Sequence, residues 1–333
     1  MPERPASAAP ADGASVLPPD VRGTFVTVGT FDGVHLGHQD VLGRLVRRAA
    51  ASGLRSLLLT FEPHPLEVLR PDDAPLLLTT REEKLELLAE VGLDYLAVLP
   101  FTRAVAELDA ESFVRRVLLS RYRMRELLVG YDHRFGRGRS GDAEVLRSLG
   151  ARLGFGVEVL RPVQADGERP ISSTLLRRAV AAGDLAAAAR GLGRPYAISG
   201  RVVPGEQRGR LLGYRTLNLA PLSPRKLLPP HGVYAVRVQT PDGGHGGMLN
   251  LGGRPTFGDD RLRLEAHVFD SERDWYGAHV RLDLVARLRD VQRFDGPEAL
   301  VAQLRRDEAA ARRALTVAQG SGNLYSSAIY DLS

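Results

Sequence analysis

The 333-residue sequence contains no cysteine, and only two of its 45 basic residues, Lys84 and Lys226, are lysines. The lack of cysteine excludes disulfides, thiolate metal sites and cysteine nucleophiles, and it fits a reducing compartment. No apolar run has the length of a signal peptide or a membrane span, so we expect a cytoplasmic protein without a membrane partner. Neither lysine follows a glycine, so the G-x-x-x-x-G-K-[ST] phosphate loop is absent, and phosphate binding would need backbone amides, histidine, arginine or metal.

The composition predicts a globular chain of two domains. Apolar residues make up 44% and charged residues 26% of the sequence, which is enough to bury a core. Single cores stop growing at roughly 250 to 300 residues. The pI near 9.7 raises the question of nucleic acid, but the net charge is only +5 and the arginines are spread along the chain. We therefore expect no nucleic-acid partner, and we leave a homo-oligomer open.

Residues 1–22 and 319–333 look like a flexible leader and a flexible tail, rich in Ala and Pro and in Gly and Ser respectively. Within 23–190, five apolar segments each lead into an amphipathic stretch that predicts a helix. This alternation predicts an α/β domain with a doubly wound parallel sheet, whose ligands bind beyond the carboxyl ends of the strands. The five predicted strands are 24–29, 54–61, 93–99, 126–130 and 155–160.

From 191 to 318 the pattern changes to short Val-, Arg- and Tyr-bearing segments separated by Gly and Pro. Such a pattern predicts a second, all-β domain, an antiparallel β-barrel. A helix that begins near Pro297 would close this domain, because proline suits the first helical turn.

The segment GTFDGVHLGHQD (29–40) begins where the first strand ends and enters a helix that carries His35 and His38 on one face. Exposed amides at a helix N-terminus favour a phosphate, and Gly37 would let the backbone approach it. Two imidazoles can donate hydrogen bonds to a phosphoryl group as it gains charge. The local chemistry suggests phosphoryl or nucleotidyl transfer, although a bare H-x-x-H is more often a pair of surface histidines or a partial zinc pair.

With its flanking G-T-F-D-G-V-H, this segment resembles the nucleotidyltransferase superfamily with the H-x-G-H signature. GYDHRFGRGRSGD (130–142) is similar to the G-x-D-x-x-F-G loop of bacterial FAD synthetases, ISSTLLR (171–177) to the second ATP motif, and TFEPHP (60–65) to the flavin-side loop. The serines could also cap a helix, and TFEPHP could be a plain turn. The resemblance implies that His35 and His38 stabilise the transfer and that Pro63 and His64 bind flavin. It assigns ATP to Gly29, Thr30, Phe31, Asp32, Gly37, Asp132, Ser172, Ser173, Thr174 and Arg177.

The second domain carries GEQRGRLLGYRTLNL (205–219), NLGGRPTFGD (250–259), LEAHVFD (264–270) and DWYG (274–277). In this order, behind an H-x-G-H domain, the motifs resemble riboflavin kinase, which in bacteria is fused to FAD synthetase. The resemblance covers about residues 24–316. It makes Glu265 the general base on the ribityl 5'-hydroxyl, although a solvated strand glutamate is an equally common role. It assigns ATP to Gly209, Arg210, Gly213, Thr216 and Asn218, Mg²⁺ to Thr216 and Asn218, and flavin to Asn250, Arg254 and Phe257.

One departure concerns the metal-side loop, where the family usually has P-T-A-N and this chain has Arg215-Thr216-Leu217-Asn218. Losing the proline frees φ and restores an N–H, and Leu217 adds bulk. We expect Arg215 to offer a cation to the ATP phosphates instead.

These features predict a bifunctional enzyme of FAD biosynthesis, with ATP, riboflavin and FMN as substrates and Mg²⁺ as cofactor. One domain would phosphorylate riboflavin to FMN, and the other would transfer AMP from ATP to FMN. Two alternatives stay open at this point. The chain could be an FMN adenylyltransferase with a degenerate flavin-binding barrel, or a flavin sensor or nucleic-acid-binding protein that uses its basic surface.

Overall fold

The computed structural model describes residues 15–130, 141–160, 170–205, 213–221, 223–254 and 259–320. The chain divides into two compact units. The first consists of Met1–Pro75 with Lys84–Pro170, and the second of Leu76–Glu83 with Ile171–Ser333. The second unit thus includes two segments that precede residue 191, and the predicted domain limits stay predictions.

The first unit contains a five-stranded sheet with the order β3-β2-β1-β4-β5. Every neighbouring pair in it is parallel, so the predicted doubly wound parallel sheet is confirmed. The central strand is buried along its whole length, which explains why it is a continuous apolar run rather than an alternating one. The strands are β1 (Thr24–Val28), β2 (Arg55–Glu62), β3 (Tyr95–Pro100), β4 (Met124–Gly130) and β5 (Gly156–Leu160).

Helices cover both faces of this sheet. Leu57 and Leu59 of β2 pack into one apolar cluster, whereas Leu58 packs with Leu42 and Leu45 of the first helix into another. This alternation follows from the period of two along a strand. The helices are α1 (Leu36–Ala51), α2 (Pro65–Leu69), α3 (Arg81–Ala89, begun by the second unit), α4 (Arg103–Ala106), α5 (Ala110–Phe113), α6 (Ser120–Tyr122) and α7 (Ala143–Leu153), with a 3₁₀ turn at Pro71–Asp73 and a π-helical segment at Val114–Leu119 between α5 and α6.

The second unit contains a closed barrel with the order β10-β7-β6-β11-β8-β9. All six pairings are antiparallel, so the predicted barrel and its closing helix are confirmed. Closure removes the free edges that an open sheet would expose. The strands are β6 (Tyr196–Val203), β7 (Leu217–Pro221), β8 (Gly232–Thr240), β9 (Gly243–Arg254), β10 (Asp259–Val268) and β11 (His279–Arg289), and the helices are α8 (Ser173–Ala182), α9 (Leu185–Leu192) and α10 (Pro297–Gly320).

Helix α10 packs on the outside of the barrel through apolar and ionic contacts. Ala311 and Leu315 of the helix join Met248 in a buried cluster. Arg289 of β11 binds the carboxylate of Asp307 bidentately, with Nε to Oδ1 at 2.9 Å and Nη2 to Oδ2 at 2.7 Å. Such fork-to-fork pairs fix orientation as well as adding energy. Among the described residues, no helix combines the length and apolarity needed to cross a membrane.

The segment 76–83 is part of the second unit, although it is far from the barrel in sequence. Leu77 exchanges two backbone hydrogen bonds of 2.8 Å, donating to Arg225 O and accepting from Leu227 N. Glu83 forms a buried ion pair of 2.6 Å with Lys226 and accepts a bond from Ser199 N. Glu83 also accepts a hydrogen bond from Thr80 N, and Lys226 also donates to Leu78 O. These hydrogen bonds offset the cost of burying the two charges.

Candidate functional sites

The main chain passes from β1 to α1 through a turn with unusual backbone angles. Phe31, Gly33 and Val34 have φ values of 49°, 84° and 38°. A positive φ is strained for an aromatic or β-branched residue and persists only where the surroundings enforce it. Phe31 and Val34 are both buried, and the Phe31 ring lies so close over Gly29 that a Cβ there would be 2.8 Å from it. Packing therefore holds this turn in its strained shape.

His35 and His38 lie together at the start of α1. His35 is the N-cap, and its Nδ1 accepts a hydrogen bond of 3.3 Å from the backbone N–H of His38. Because an amide only donates, the neutral ring of His35 carries its proton on Nε2. The two rings stack with centroids 3.6 Å apart, and the Phe31 ring is 4.8 Å from that of His38. Two imidazoles are thus held at a helix N-terminus, where a phosphate is favoured.

The segment after β2 lies at the same edge of the sheet, because β1 and β2 are parallel neighbours. The Thr60 hydroxyl donates to Thr30 O at 3.1 Å and so joins the two strand ends. His64 caps α2: its Nδ1 accepts from Leu66 N, and its own N–H donates to Glu67, both at 3.2 Å. The Glu62–Pro63 peptide is cis. Because β1 and β2 end side by side, the predicted flavin residues Pro63 and His64 lie beside the end of β1.

The ISSTLLR segment forms the start of α8 in the second unit. Ser172 is the N-cap, with its hydroxyl accepting from Leu175 N at 3.4 Å, which is the capping role that the sequence left open. Ser173 and Thr174 follow in the first turn. Arg177 donates from Nε to Leu76 O at 2.9 Å. Asp132, predicted for the same ATP site, lies outside the described residues.

In the barrel, three predicted site residues form a row across adjacent strands. Glu265 of β10 pairs with Asn218 of β7 on one side and with Asn250 of β9 on the other. Directly opposed residues share a face, with Cβ atoms about 4.5 to 5.5 Å apart. The flanking Leu264 and Ala266 belong to the barrel core, so the row lies on the outer face. Glu265 is nonetheless buried.

The described residues on either side of the 206–212 segment lie close to this row. A Cβ on Gly205 would lie 2.0 Å from the Asn218 amide nitrogen, so only glycine permits this approach. His267 shares the face of Glu265, and its Nδ1 lies 2.7 Å from Arg215 O; the bond requires that nitrogen to be the donor. Tyr214 packs against the His267 ring. Burial raises the pKa of Tyr214, and the charge and hydrogen bond of Glu308 raise that pKa further.

Arg215 has a different partner from the one expected. Its guanidinium donates to Glu272 O and pairs with the carboxylate of Asp274. The carboxylate of Asp274 competes with a phosphate for this guanidinium, and the expectation that Arg215 offers its charge to ATP stays a prediction. In the described residues the arginine ties the metal-side loop to the 271–277 segment.

The other predicted kinase residues are only partly described. Thr216 directly precedes β7, and Gly213 has a φ of 77°. Gly209, Arg210 and Phe257 lie outside the described residues, and of Arg254 only the backbone is described. The described residues contain no group of three His, Cys, Asp or Glu side chains able to hold a metal. A hydroxyl and an amide oxygen are ligands that suit a hard cation, and Asn218 lies beside Glu265, so the residue types of Thr216 and Asn218 fit the predicted ion.

Two residues near the sites were not predicted from the sequence. The sequence did not indicate a role for His267, because a single histidine within a strand forms no recognisable motif by itself. Lys84 is buried beside Thr30, and its signal was the rarity of lysine in the chain.

An α/β unit with paired histidines at a strand-to-helix turn, followed by a barrel with a buried glutamate between two asparagines, defines a two-domain nucleotide-dependent transferase. The FAD synthetase family matches residues 17–175, and the riboflavin kinase family matches residues 192–315. The chain belongs to the family of bifunctional riboflavin kinase/FMN adenylyltransferases. The predicted ATP-dependent kinase and nucleotidyltransferase of FAD biosynthesis is thereby confirmed.

Individual relatives cover nearly all of the chain. The bifunctional riboflavin kinase/FMN adenylyltransferase of Escherichia coli K12 is 42% identical over 295 residues, covering 87% of this chain and 92% of the relative. That of Pseudomonas fluorescens is 40% identical over 297 residues, covering 89% and 94%. A crystal structure described as a macrolide-efflux protein from Streptococcus pneumoniae has a TM-score of 0.77 and 32% identity, covering 87% and 94%. The efflux name belongs to that protein, and the likeness supports the two-domain fold.

Proposed function

We propose that the barrel unit phosphorylates riboflavin to FMN and that the parallel-sheet unit carries the histidines that serve transfer of AMP from ATP to FMN. The observation that carries this proposal is the row Asn218, Glu265 and Asn250. It supports an intact kinase in a chain whose metal-side loop departs from the family pattern. The alternative of a degenerate barrel has no comparable support.

In adenylylation, a phosphate oxygen of FMN attacks the α-phosphorus of ATP while the bond to pyrophosphate breaks. His35, through Nε2–H, and His38 donate hydrogen bonds to the phosphate oxygens as charge develops, and the N-terminus of α1 adds its dipole. No covalent intermediate with the protein is needed. Pro63 and His64 contact the flavin. ATP is bound by Gly29, Thr30, Phe31, Asp32, Gly37, Asp132, Ser172, Ser173, Thr174 and Arg177.

In the kinase reaction, Glu265 accepts the proton of the ribityl 5'-hydroxyl while that oxygen attacks the γ-phosphorus and ADP leaves. The families use ATP with a divalent metal, and we propose Mg²⁺ held by Thr216 and Asn218. When bound, Mg²⁺ neutralises charge on the phosphate oxygens. Gly209, Arg210 and Gly213 contact the ATP phosphates, and Asn250, Arg254 and Phe257 contact the flavin.

The substrates ATP, riboflavin and FMN follow from the two activities. We further propose a cytoplasmic location, which the lack of cysteine supports. Neither a nucleic acid nor a membrane is needed as a partner for this chemistry, and a homo-oligomer is compatible with it.

One incubation tests the proposal. The full chain is mixed with riboflavin, ATP and Mg²⁺, and the flavins are separated over time. We expect FMN to appear first and FAD to follow, and we expect supplied FMN to give FAD without a lag. Chelation of the metal should stop FMN formation. FAD from FMN without any FMN from riboflavin would instead establish the adenylyltransferase-only alternative.

A further inference from the structure

Lys84 is the only lysine of the first unit, and its side chain is buried at the carboxyl edge of the sheet. Its Nζ lies 3.5 Å from Thr30 O, 3.5 Å from Thr60 Oγ1 and 3.4 Å from Phe61 O. The Glu62 carboxylate is 3.8 Å away. The ammonium is therefore surrounded by oxygens from the ends of two neighbouring strands.

The packing of its side chain alone does not explain why residue 84 is a charged lysine. Burying an ammonium costs far more than burying an apolar side chain of the same length. Lys84 is also the fourth residue of α3, and a cation near a helix N-terminus is opposed by the helix dipole. The charge is retained despite two unfavourable terms, which indicates that the oxygens around it need a cation.

Those oxygens belong to the two segments that carry the predicted adenylylation residues. Thr30 O directly precedes Phe31, the first left-handed residue of the strained turn that leads to His35. Phe61 O precedes the segment in which His64 caps α2. One ammonium thus contacts the start of both segments, at the edge where an α/β sheet binds its ligand.

We propose that Lys84 is a positioning residue for FMN adenylylation. Its ammonium holds the turn after β1 against the segment after β2, so that the stacked histidines are fixed before ATP arrives. Preorganisation of this kind affects the chemical step more than ground-state binding. The inference rests on the proposed role of the first unit's histidines in adenylylation.

The first test replaces Lys84 by methionine, which keeps most of the apolar stem and removes the charge. We expect Lys84→Met to lower kcat for FAD formation from FMN by about 30- to 100-fold, as for a small misplacement of reacting groups. We expect the KM for ATP to change by less than about threefold, because ground-state contacts remain. The riboflavin kinase rate of the same chain should stay at the parent value, which serves as an internal control.

Because the chain has no cysteine, Lys84→Cys introduces a single thiol. Alkylation with 2-bromoethylamine in denaturant, followed by refolding, builds a lysine analogue at that position alone. We expect the unalkylated variant to adenylylate as poorly as Lys84→Met and the alkylated one to recover most of the parent's kcat. Parent protein taken through the same refolding supplies the reference.

Arg55→Met is the matched control, since Arg55 pairs with Asp94 at the amino end of the same strand β2. It should leave both activities unchanged. FAD formation by Lys84→Met within threefold of the parent would overturn the proposal, and so would equal rates for the alkylated and unalkylated forms of the Lys84→Cys variant. If the parent makes no FAD from FMN, the proposed function itself fails, which is a separate outcome.

Discussion

The two sites bring their reactive side chains together in different ways. After β1, the turn from Gly29 to His35 holds its residues within one continuous stretch of chain, shaped by two strained residues and a glycine. On the barrel, Asn218, Glu265 and Asn250 come from three strands and meet only because β7, β10 and β9 pair in one register. The first arrangement depends on local backbone shape, and the second depends on register.

This difference has consequences for how each site tolerates change. The strained turn depends on the packing of Phe31 and Val34, and we expect it to be sensitive to groups such as Lys84, which is distant in sequence but lies beside Thr30 O. A row across a sheet is sensitive to register, because a slip of one residue would turn Glu265 into the core. Each site can therefore be disturbed without the other, and the predictions below test that separation.

The largest expected effect is on the kinase rate, from a change in the row Asn218, Glu265 and Asn250 of the barrel. Glu265→Gln keeps the shape of the side chain but removes its ability to accept a proton. We expect riboflavin phosphorylation to fall by about 10² to 10⁴, the range for general-base catalysis, with FAD formation from FMN unchanged. Both rates are measured on one preparation, with the exposed Glu298→Gln of α10 as control. Equal kinase rates in variant and parent would remove Glu265 as the base.

The opposite effect, a loss of adenylylation with the kinase spared, is expected for the turn between β1 and α1. His38→Ala removes one imidazole but keeps the backbone N–H that His35 Nδ1 accepts, so the helix cap persists. We expect FAD formation from FMN to fall by about 10² to 10³, as for one lost donor to developing charge, while riboflavin phosphorylation continues. The exposed His279→Ala of β11 is the control. Parallel loss of both activities in a folded His38→Ala protein would show that the sites are not separate.

A smaller effect is expected at Arg215, where the loop before β7 departs from the family. Its ion pair with Asp274 is partly exposed, and such pairs contribute at most about 1 kcal/mol. We expect Arg215→Ala to raise the KM for ATP in the kinase step by less than about fivefold. Asp274→Ala should do the same, and the double variant should add little. A rise of tenfold or more in Arg215→Ala alone would mean that the guanidinium reaches a phosphate.

The smallest effect is expected at the amino edge of the first unit's sheet, away from the turn. Burial acts to raise the pKa of Asp94, but hydrogen bonds from Ser56 and Arg55 outweigh it and lower that pKa. A carboxylate whose pKa is lower in the folded chain than in the unfolded chain stabilises the fold at pH values above its unfolded-state pKa. This stabilisation is lost as the pH falls through its folded-state pKa. Asp94→Asn should therefore melt at a lower temperature than the parent near neutral pH.

That difference in melting temperature should shrink once the pH falls below about 4, where the carboxylate of the unfolded chain is protonated. Thermal melts followed by circular dichroism across this range check it. Both activities at neutral pH should match those of the parent. A melting difference that is the same at every pH would assign the effect to packing rather than to the charge of Asp94.

The sequence predicted most of the fold, for reasons that differ between the units. In the first, the apolar runs of the central strands β1 and β2 are buried on both faces, and the helix predicted after the first strand starts at Leu36. In the second, turn residues and short segments identified a barrel. The pairing of Glu265 with Asn218 and Asn250 could not be predicted, because register arises from the closed sheet as a whole.

Further features of the structure could not be predicted from the sequence. Leu77 pairs with the backbone beside Lys226, a contact between distant segments that no local pattern reports. The oxygens around Lys84 are mainly backbone carbonyls and a hydroxyl, which occur in almost every segment. The positive φ of Phe31 and Val34 is similarly hidden, because neither residue type favours it.

The scarcity of lysine has a practical consequence for following the two units separately. Lys84 belongs to the first unit and Lys226 to the second, and both are under 10% exposed. A lysine-specific endoprotease therefore finds no accessible cleavage point on the native fold, and it cuts only when the chain around one of these residues opens. Because the two cuts give fragments of different length, the initial rates of a single digestion would report the opening free energy of the chain around each lysine, without any label or engineered probe.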